Sequence, residues 1–162
     1  MALTTETSFP IVLTIKDFGK SSSTHAFREV VAPNGTYNRL ESTEGLVPVL
    51  YSPGFGAGWY TSFDPENAPE EVIFDSRLVQ FVASEEFSRL FNSQQYHFHE
   101  GNENEHVFCD IMMDWFGLTG VYAGGFSQLK IQLIPKNTQF RIQEYDGAES
   151  VEIFNPSRYF VA

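Results

Sequence analysis

Apolar and polar positions follow two rhythms along this chain, and the switch between them divides it into thirds. Residues 9–16 (FPIVLTIK) form a β-branched run that stops short of Gly19 and predicts a strand. A polar loop follows at 20–24. Residues 27–32 predict a second strand, closed by the turn Pro33-Asn34-Gly35. Residues 46–51 (LVPVLY) read as a strand at a sheet edge, because Pro48 has no N–H to give to a ladder. Residues 52–69 then hold Pro53, Gly54, Gly56, Gly58, Pro65 and Pro69, a density of breakers that predicts a long ordered loop.

The middle third changes to a helical period. Asp75 or Ser76 can cap a helix whose stripe is Leu78, Val79, Val82, Phe87, Leu90 and Phe91. Asn102 or Asn104 can start a second one. There Val107, Phe108, Ile111, Met112 and Trp115 recur at helical spacing, and Gly117 stands where a left-handed C-cap belongs. The last third returns to period two. Leu129, Ile131 and Leu133 alternate with Lys130 and Gln132, and Phe140 and Ile142 alternate with Gln139, Arg141 and Gln143, which predicts a hairpin across Pro135-Lys136-Asn137-Thr138. Asp146-Gly147 makes a further turn into a strand at 151–154. The expected fold class is α+β: a mostly antiparallel sheet with a C-terminal β-meander and two central helices packed on it. With no repeat or linker, residues 1–162 are expected to form one domain.

Composition narrows the functions. The chain has 162 residues, 42% of them apolar, with 16 Phe, enough for a core without metal or disulfide staples. A single Cys excludes an internal disulfide. The chain has no apolar run of transmembrane length, and residues 1–10 lack a signal-peptide pattern, so no membrane association and a cytoplasmic location are expected. Ten Lys and Arg against 21 Asp and Glu give a net charge of −11, and no basic run exists. Binding to nucleic-acid phosphates is therefore not expected, since it requires Lys or Arg to displace counterions. The charge reads either as solubility or as an acidic face turned toward a basic partner, as in a nucleic-acid mimic.

Three segments carry candidate chemistry. The first is 52–60 (SPGFGAGWY), where Gly54, Gly56 and Gly58 permit close backbone approach and Trp59 offers a stacking surface. It fits neither a dinucleotide fingerprint nor a phosphate loop; its other reading is a structural turn with Trp59 packed on the core. The second is Tyr122 with Gly124 and Gly125. The third is 144–149 (EYDGAE), in which Glu144, Asp146 and Glu149 exceed what a turn needs. If these loops converge, they form a pocket with an aromatic wall and an acidic rim, suited to a hydroxyl-rich or cationic ligand. Metal chemistry has a separate candidate. His97, His99 and Glu103 match the HxH-x3-E spacing of a cupin's first metal motif and suit a divalent ion. No His follows His106, however, and Glu103 in a first helical turn is also explained by the helix dipole. Apart from that metal no cofactor is expected. Cys109 flanks the stripe of the second helix and reads as inert packing.

Residues 51–59 (YSPGFGAGW), Gly124-Gly125 and 135–149 (PKNTQFRIQEYDGAE) together resemble a group of small uncharacterised bacteriophage and bacterial proteins that carry SPG-x-GAGW and P-x-x-T-x-F-R-I-x-E-Y-D-G-x-E segments. The resemblance implies one shared site and a viral source, and brings no activity with it. The leading expectation is a non-enzymatic acidic binding protein, its partner a host or defence protein or a small nucleotide-like ligand. The alternatives are a cupin-like metal enzyme and a structural component of a virion or larger assembly.

Overall fold

The computed structural model describes residues 8–16, 21–54, 58–91, 104–121 and 125–154. Among them are seven strands and four helices, with every strand pair antiparallel. β1 (Ile11–Ile15), β2 (Ser23–Val31) and β3 (Asn38–Ser42) form a three-stranded sheet in that order. β4 (Leu46–Tyr51) pairs with β5 (Lys130–Pro135), and β6 (Phe140–Tyr145) with β7 (Ala148–Ile153). α1 (Glu71–Phe74), α2 (Ser76–Val82), α3 (Glu85–Phe91) and α4 (Glu105–Phe116) fill the middle of the chain. The α+β class with antiparallel sheets and a C-terminal β-hairpin is thus what the chain adopts. No helix among the described residues is long and apolar enough to cross a membrane.

Three details differ from the sequence pattern, each for a physical reason. β5 does not fold back on β6; it pairs with β4, Leu46 opposite Pro135 and Tyr51 opposite Lys130. Val47, Pro48, Val49 and Leu50 are all buried, so β4 is covered on both faces. The apolar β5, with Ile131 and Ile134 buried, suits that covered place better than β6, whose Arg141, Glu144 and Tyr145 are exposed. The turn after Pro135 still forms, with Asn137 at φ 68° and the Thr138 N–H on the Pro135 carbonyl at 3.1 Å. Pro48 is tolerated because, among the described residues, β4 carries a strand on one side only.

The helix expected through residues 76–91 is two helices. Ser84 interrupts it: its hydroxyl donates to the Phe81 carbonyl (2.6 Å) and accepts the Phe87 N–H (3.2 Å), the competition with helical hydrogen bonds that serine offers. β3 was hidden by its polarity. It reads NRLES, yet Leu40, Glu41 and Ser42 are buried, and Glu41 is matched by Lys136 Nζ at 3.0 Å. Asn104 stands at the start of α4 as expected, but its side chain makes no cap bond and donates to the Leu90 carbonyl at 2.7 Å; two other expected caps do form. Asp75 accepts the Arg77 N–H at 2.8 Å at the start of α2, and Gly117 ends α4 at φ 65°.

The core is aromatic. Phe126, fully buried, has Phe108, Phe91, Trp59 and Phe87 within 4.8, 5.0, 5.7 and 5.8 Å of its ring centre, mostly edge to face. Each such pair contributes about 0.5–1.5 kcal/mol beyond area burial. The Phe126 hub therefore fixes α3, α4 and the loop around Trp59 to one another. Arg77 adds a polar tie: its guanidinium holds Asp75 and donates to the Trp115 carbonyl, joining α2 to α4.

At the other end Tyr37 donates to Glu70 at 2.7 Å, and Asn34 donates to the same carboxylate at 3.1 Å. Burial first, and then the Glu70 bond, push the Tyr37 phenol far above its ordinary value. The unfolded chain loses this proton near pH 10, as a free tyrosine does, while the folded chain keeps it. The contribution is thus complete below about pH 10 and is lost as pH rises from there toward the folded value. Tyr37→Phe is expected to cost about 1 kcal/mol at pH 8. It should also lose less stability than the wild type between pH 8 and pH 11 in urea titrations; equal losses would exclude the linkage.

Candidate functional site

The glycine-rich loop, the turn before β5 and the β6–β7 turn do come together in the fold. What they build is a knot of backbone and one carboxylate. Glu149, at the start of β7, is only 3% exposed. One of its carboxylate oxygens accepts the Ser52 N–H (2.9 Å). The other accepts the Trp59 N–H (2.9 Å), the Thr61 N–H (2.8 Å) and the Thr61 hydroxyl (2.7 Å). The Glu149 N–H returns to the Ser52 carbonyl at 2.8 Å. A carboxylate buried this deeply is tolerable because these donors replace its water.

The glycines are needed for contact. A Cβ on Gly125 would lie 1.8 Å from the Gly58 carbonyl oxygen and 2.4 Å from its carbon, and backbone cannot swing aside. Gly58 itself sits at φ 78° with the Gly147 carbonyl beside it. Gly54 lies against the Gln128 side chain. Trp59 is 0% exposed; its indole N–H donates to the Val72 carbonyl at 2.9 Å and its ring packs on Phe63, Phe108 and Phe126.

This arrangement corrects the expected pocket. Trp59 is a core residue and gives no stacking wall, and Glu149 is a buried acceptor and gives no rim. Glu144 and Asp146 remain at the exposed hairpin end, where Glu144 accepts the Gly147 N–H at 2.8 Å and Asp146 takes a positive φ. Gly56, Tyr122, Gly124, His97, His99 and Glu103 lie outside the described residues. Among the described residues no group of three His, Cys, Asp or Glu is placed to hold a metal. Cys109, expected to pack, is exposed on α4.

The open space lies behind the knot. A groove of about 680 Å³ runs between β1, the α2–α3 junction and the start of β5. Five consecutive residues, 12–16, line it, and alternate side chains of a strand point to opposite faces, so the groove follows the edge of β1. Among the described residues that edge has no ladder partner, β1 being paired to β2 alone. Val82, Phe87 and Leu129 give the groove an apolar lining, while Thr14, Ser84, Ser88 and Ser127 contribute hydroxyls. Ser127 follows the Phe126 hub directly, so its position is set by the same packing that holds Gly125 on Gly58. Its hydroxyl oxygen is buried and has no hydrogen-bond partner among the described residues. Sequence gave no signal for this groove, because its walls are ordinary strand and helix positions that meet only in three dimensions. A shallower pocket of about 470 Å³ lies over Phe140, Arg141 and Phe154 at the hairpin.

What the fold and site define at this level is an α+β protein with a groove along a strand edge that has no partner among the described residues. Comparison with protein-family models, curated proteins and solved structures finds no match, so no relative supplies a chemistry for either place.

Two substitutions separate the knot from its surroundings. Glu149→Ala leaves three backbone donors facing a void, and is expected to cost about 3 kcal/mol or more in urea unfolding. Gly125→Ala should be worse than the usual overpacking cost of about 1–3 kcal/mol, leaving little folded protein. Gly35→Ala, with open space around it but φ 76°, should cost about 1–2 kcal/mol. A folded Gly125→Ala as stable as Gly35→Ala would contradict the Gly58 contact.

Proposed function

We propose that this chain is a non-enzymatic binding protein that holds a small ligand in the groove between β1, β5 and the α2–α3 junction. The observation that carries this reading is the buried Ser127 hydroxyl, which lines the groove and has no partner among the described residues. A buried hydroxyl without a hydrogen bond costs roughly 1–3 kcal/mol, a cost that a bound ligand removes. The volume supports the same reading. About 680 Å³ falls within the roughly 300–1,000 Å³ typical of small-molecule sites, and the mixture of apolar walls with a few polar groups is what such sites use for affinity and orientation. The Glu149 knot acts here as a support, holding the loop that carries Ser127 through Gly125 and Phe126. With the resemblance to bacteriophage proteins, the biological version of this role is sequestration of a ligand that a host or defence factor needs.

Ser88 is an exposed α3 residue on the groove wall, so Ser88→Trp fills the groove without entering the core. A thermal-shift screen against nucleotides, sugar phosphates, nucleosides, sugars and organic acids should find a compound that stabilises the wild type. At a hundredfold excess over Kd the gain is about 2.7 kcal/mol. Ser88→Trp should abolish that shift while keeping the unliganded Tm. A compound that stabilises both proteins equally, or a screen with no stabilising compound, would count against the groove.

A further inference from the structure

The cations of this chain are distributed in a way that the net charge of −11 conceals. Most described ones are engaged. Arg77 is paired with Asp75, Arg89 with Glu86, Lys136 with Glu41 and Arg141 with Glu152. Arg28 and Arg39 lie over the rings of Phe9 and Phe74 at 5.1 and 5.8 Å. Lys16 and Lys130 differ. Among the described residues neither ammonium group has a hydrogen bond, an ion pair or an aromatic partner, although acidic residues outnumber basic ones two to one. Both line the same groove, one at the end of β1 and one at the start of β5, and the orphan Ser127 hydroxyl belongs to that groove too.

We infer that the groove selects an anionic small molecule, one bearing a phosphate or carboxylate, with Lys16 and Lys130 binding its charge and Ser127 donating a hydrogen bond to it. The inference rests on the groove being the binding site and adds the class of ligand. Three features of the groove support it. Lys16 follows the end of β1 and Lys130 opens β5, so the groove has a lysine on each of two walls that, among the described residues, share no ladder. Among the described residues Glu85 is the only carboxylate lining the groove, against the two lysines. At physiological ionic strength the screening length is about 8 Å, so carboxylates farther than that from the groove oppose an anion only weakly. Ammonium groups on flexible stems suit a phosphate or carboxylate as point charges, and a hydroxyl donor gives the directionality they lack.

Matched pairs isolate the charge: adenosine monophosphate with adenosine, glucose 6-phosphate with glucose, and citrate as a carboxylate without phosphate. By calorimetric titration, an anionic member of at least one set is expected to bind at least tenfold tighter than its neutral counterpart. If the phosphates bind and citrate does not, the charge is read as phosphate; the converse assigns a carboxylate. Lys16→Met with Lys130→Met should reduce that affinity tenfold or more and flatten its dependence on salt. Ser127→Ala should weaken binding several-fold and leave the salt dependence intact. Both changes spare the aromatic core, and an unaltered unliganded Tm confirms folding. Neutral and charged members binding equally, blocked by Ser88→Trp but indifferent to the lysine changes, would overturn the anion selectivity and keep the groove. Binding of no probe, or binding unaffected by Ser88→Trp, would overturn both.

Discussion

The carboxylate of Glu149 is the interaction on which the architecture turns. It is a single side chain from the C-terminal hairpin, yet it takes the N–H groups of Ser52, Trp59 and Thr61. These residues flank the glycine-rich segment of the sequence at 53–58. Buried amides need partners, and here one anion serves three of them. Everything around it depends on that closure: the β6–β7 hairpin is attached, the loop is drawn inward, and Trp59 is delivered to the core.

Packing then turns a loop into a scaffold. Gly125 fits against the Gly58 backbone with no room for a methyl group, and the next residue, Phe126, enters a cage of four aromatic rings. Ser127 follows on a turn whose two predecessors are both immobilised. The Ser127 hydroxyl, which has no partner among the described residues, is thus held next to a tightly packed part of the molecule. In the proposed binding role, a hydroxyl on a rigid support lowers the ordering cost of capturing a ligand.

The groove and the knot divide labour between unlike residue types. The knot uses an acid buried among backbone donors; the groove is lined by two lysines, hydroxyl-bearing residues and apolar walls along the edge of β1 that has no partner among the described residues. The overall acidity of the chain says little about either. What matters for a ligand is the local set of charges, and among the described residues lining the groove two lysines stand against one carboxylate.

Much of the fold was legible in the sequence. The apolar run of β4, the helical stripe and Gly117 cap of α4, and the Asp146-Gly147 turn follow from side-chain period and backbone sterics, which are local. The motif at 52–60 also drew attention to a real convergence, since its glycines signal close backbone approach whatever approaches. Tertiary structure decided the rest. Whether Trp59 faced a ligand or the core depended on Phe108 and Phe126, far away in the chain. Whether Glu149 formed a rim or a plug depended on three amides about ninety residues earlier in the sequence. β5 chose β4 over its neighbour β6 because burial on both faces favours the more apolar partner, a comparison no single segment contains. The groove had no sequence signature at all, because Lys16, Ser127 and Lys130 become neighbours only when β1 and β5 border the same gap.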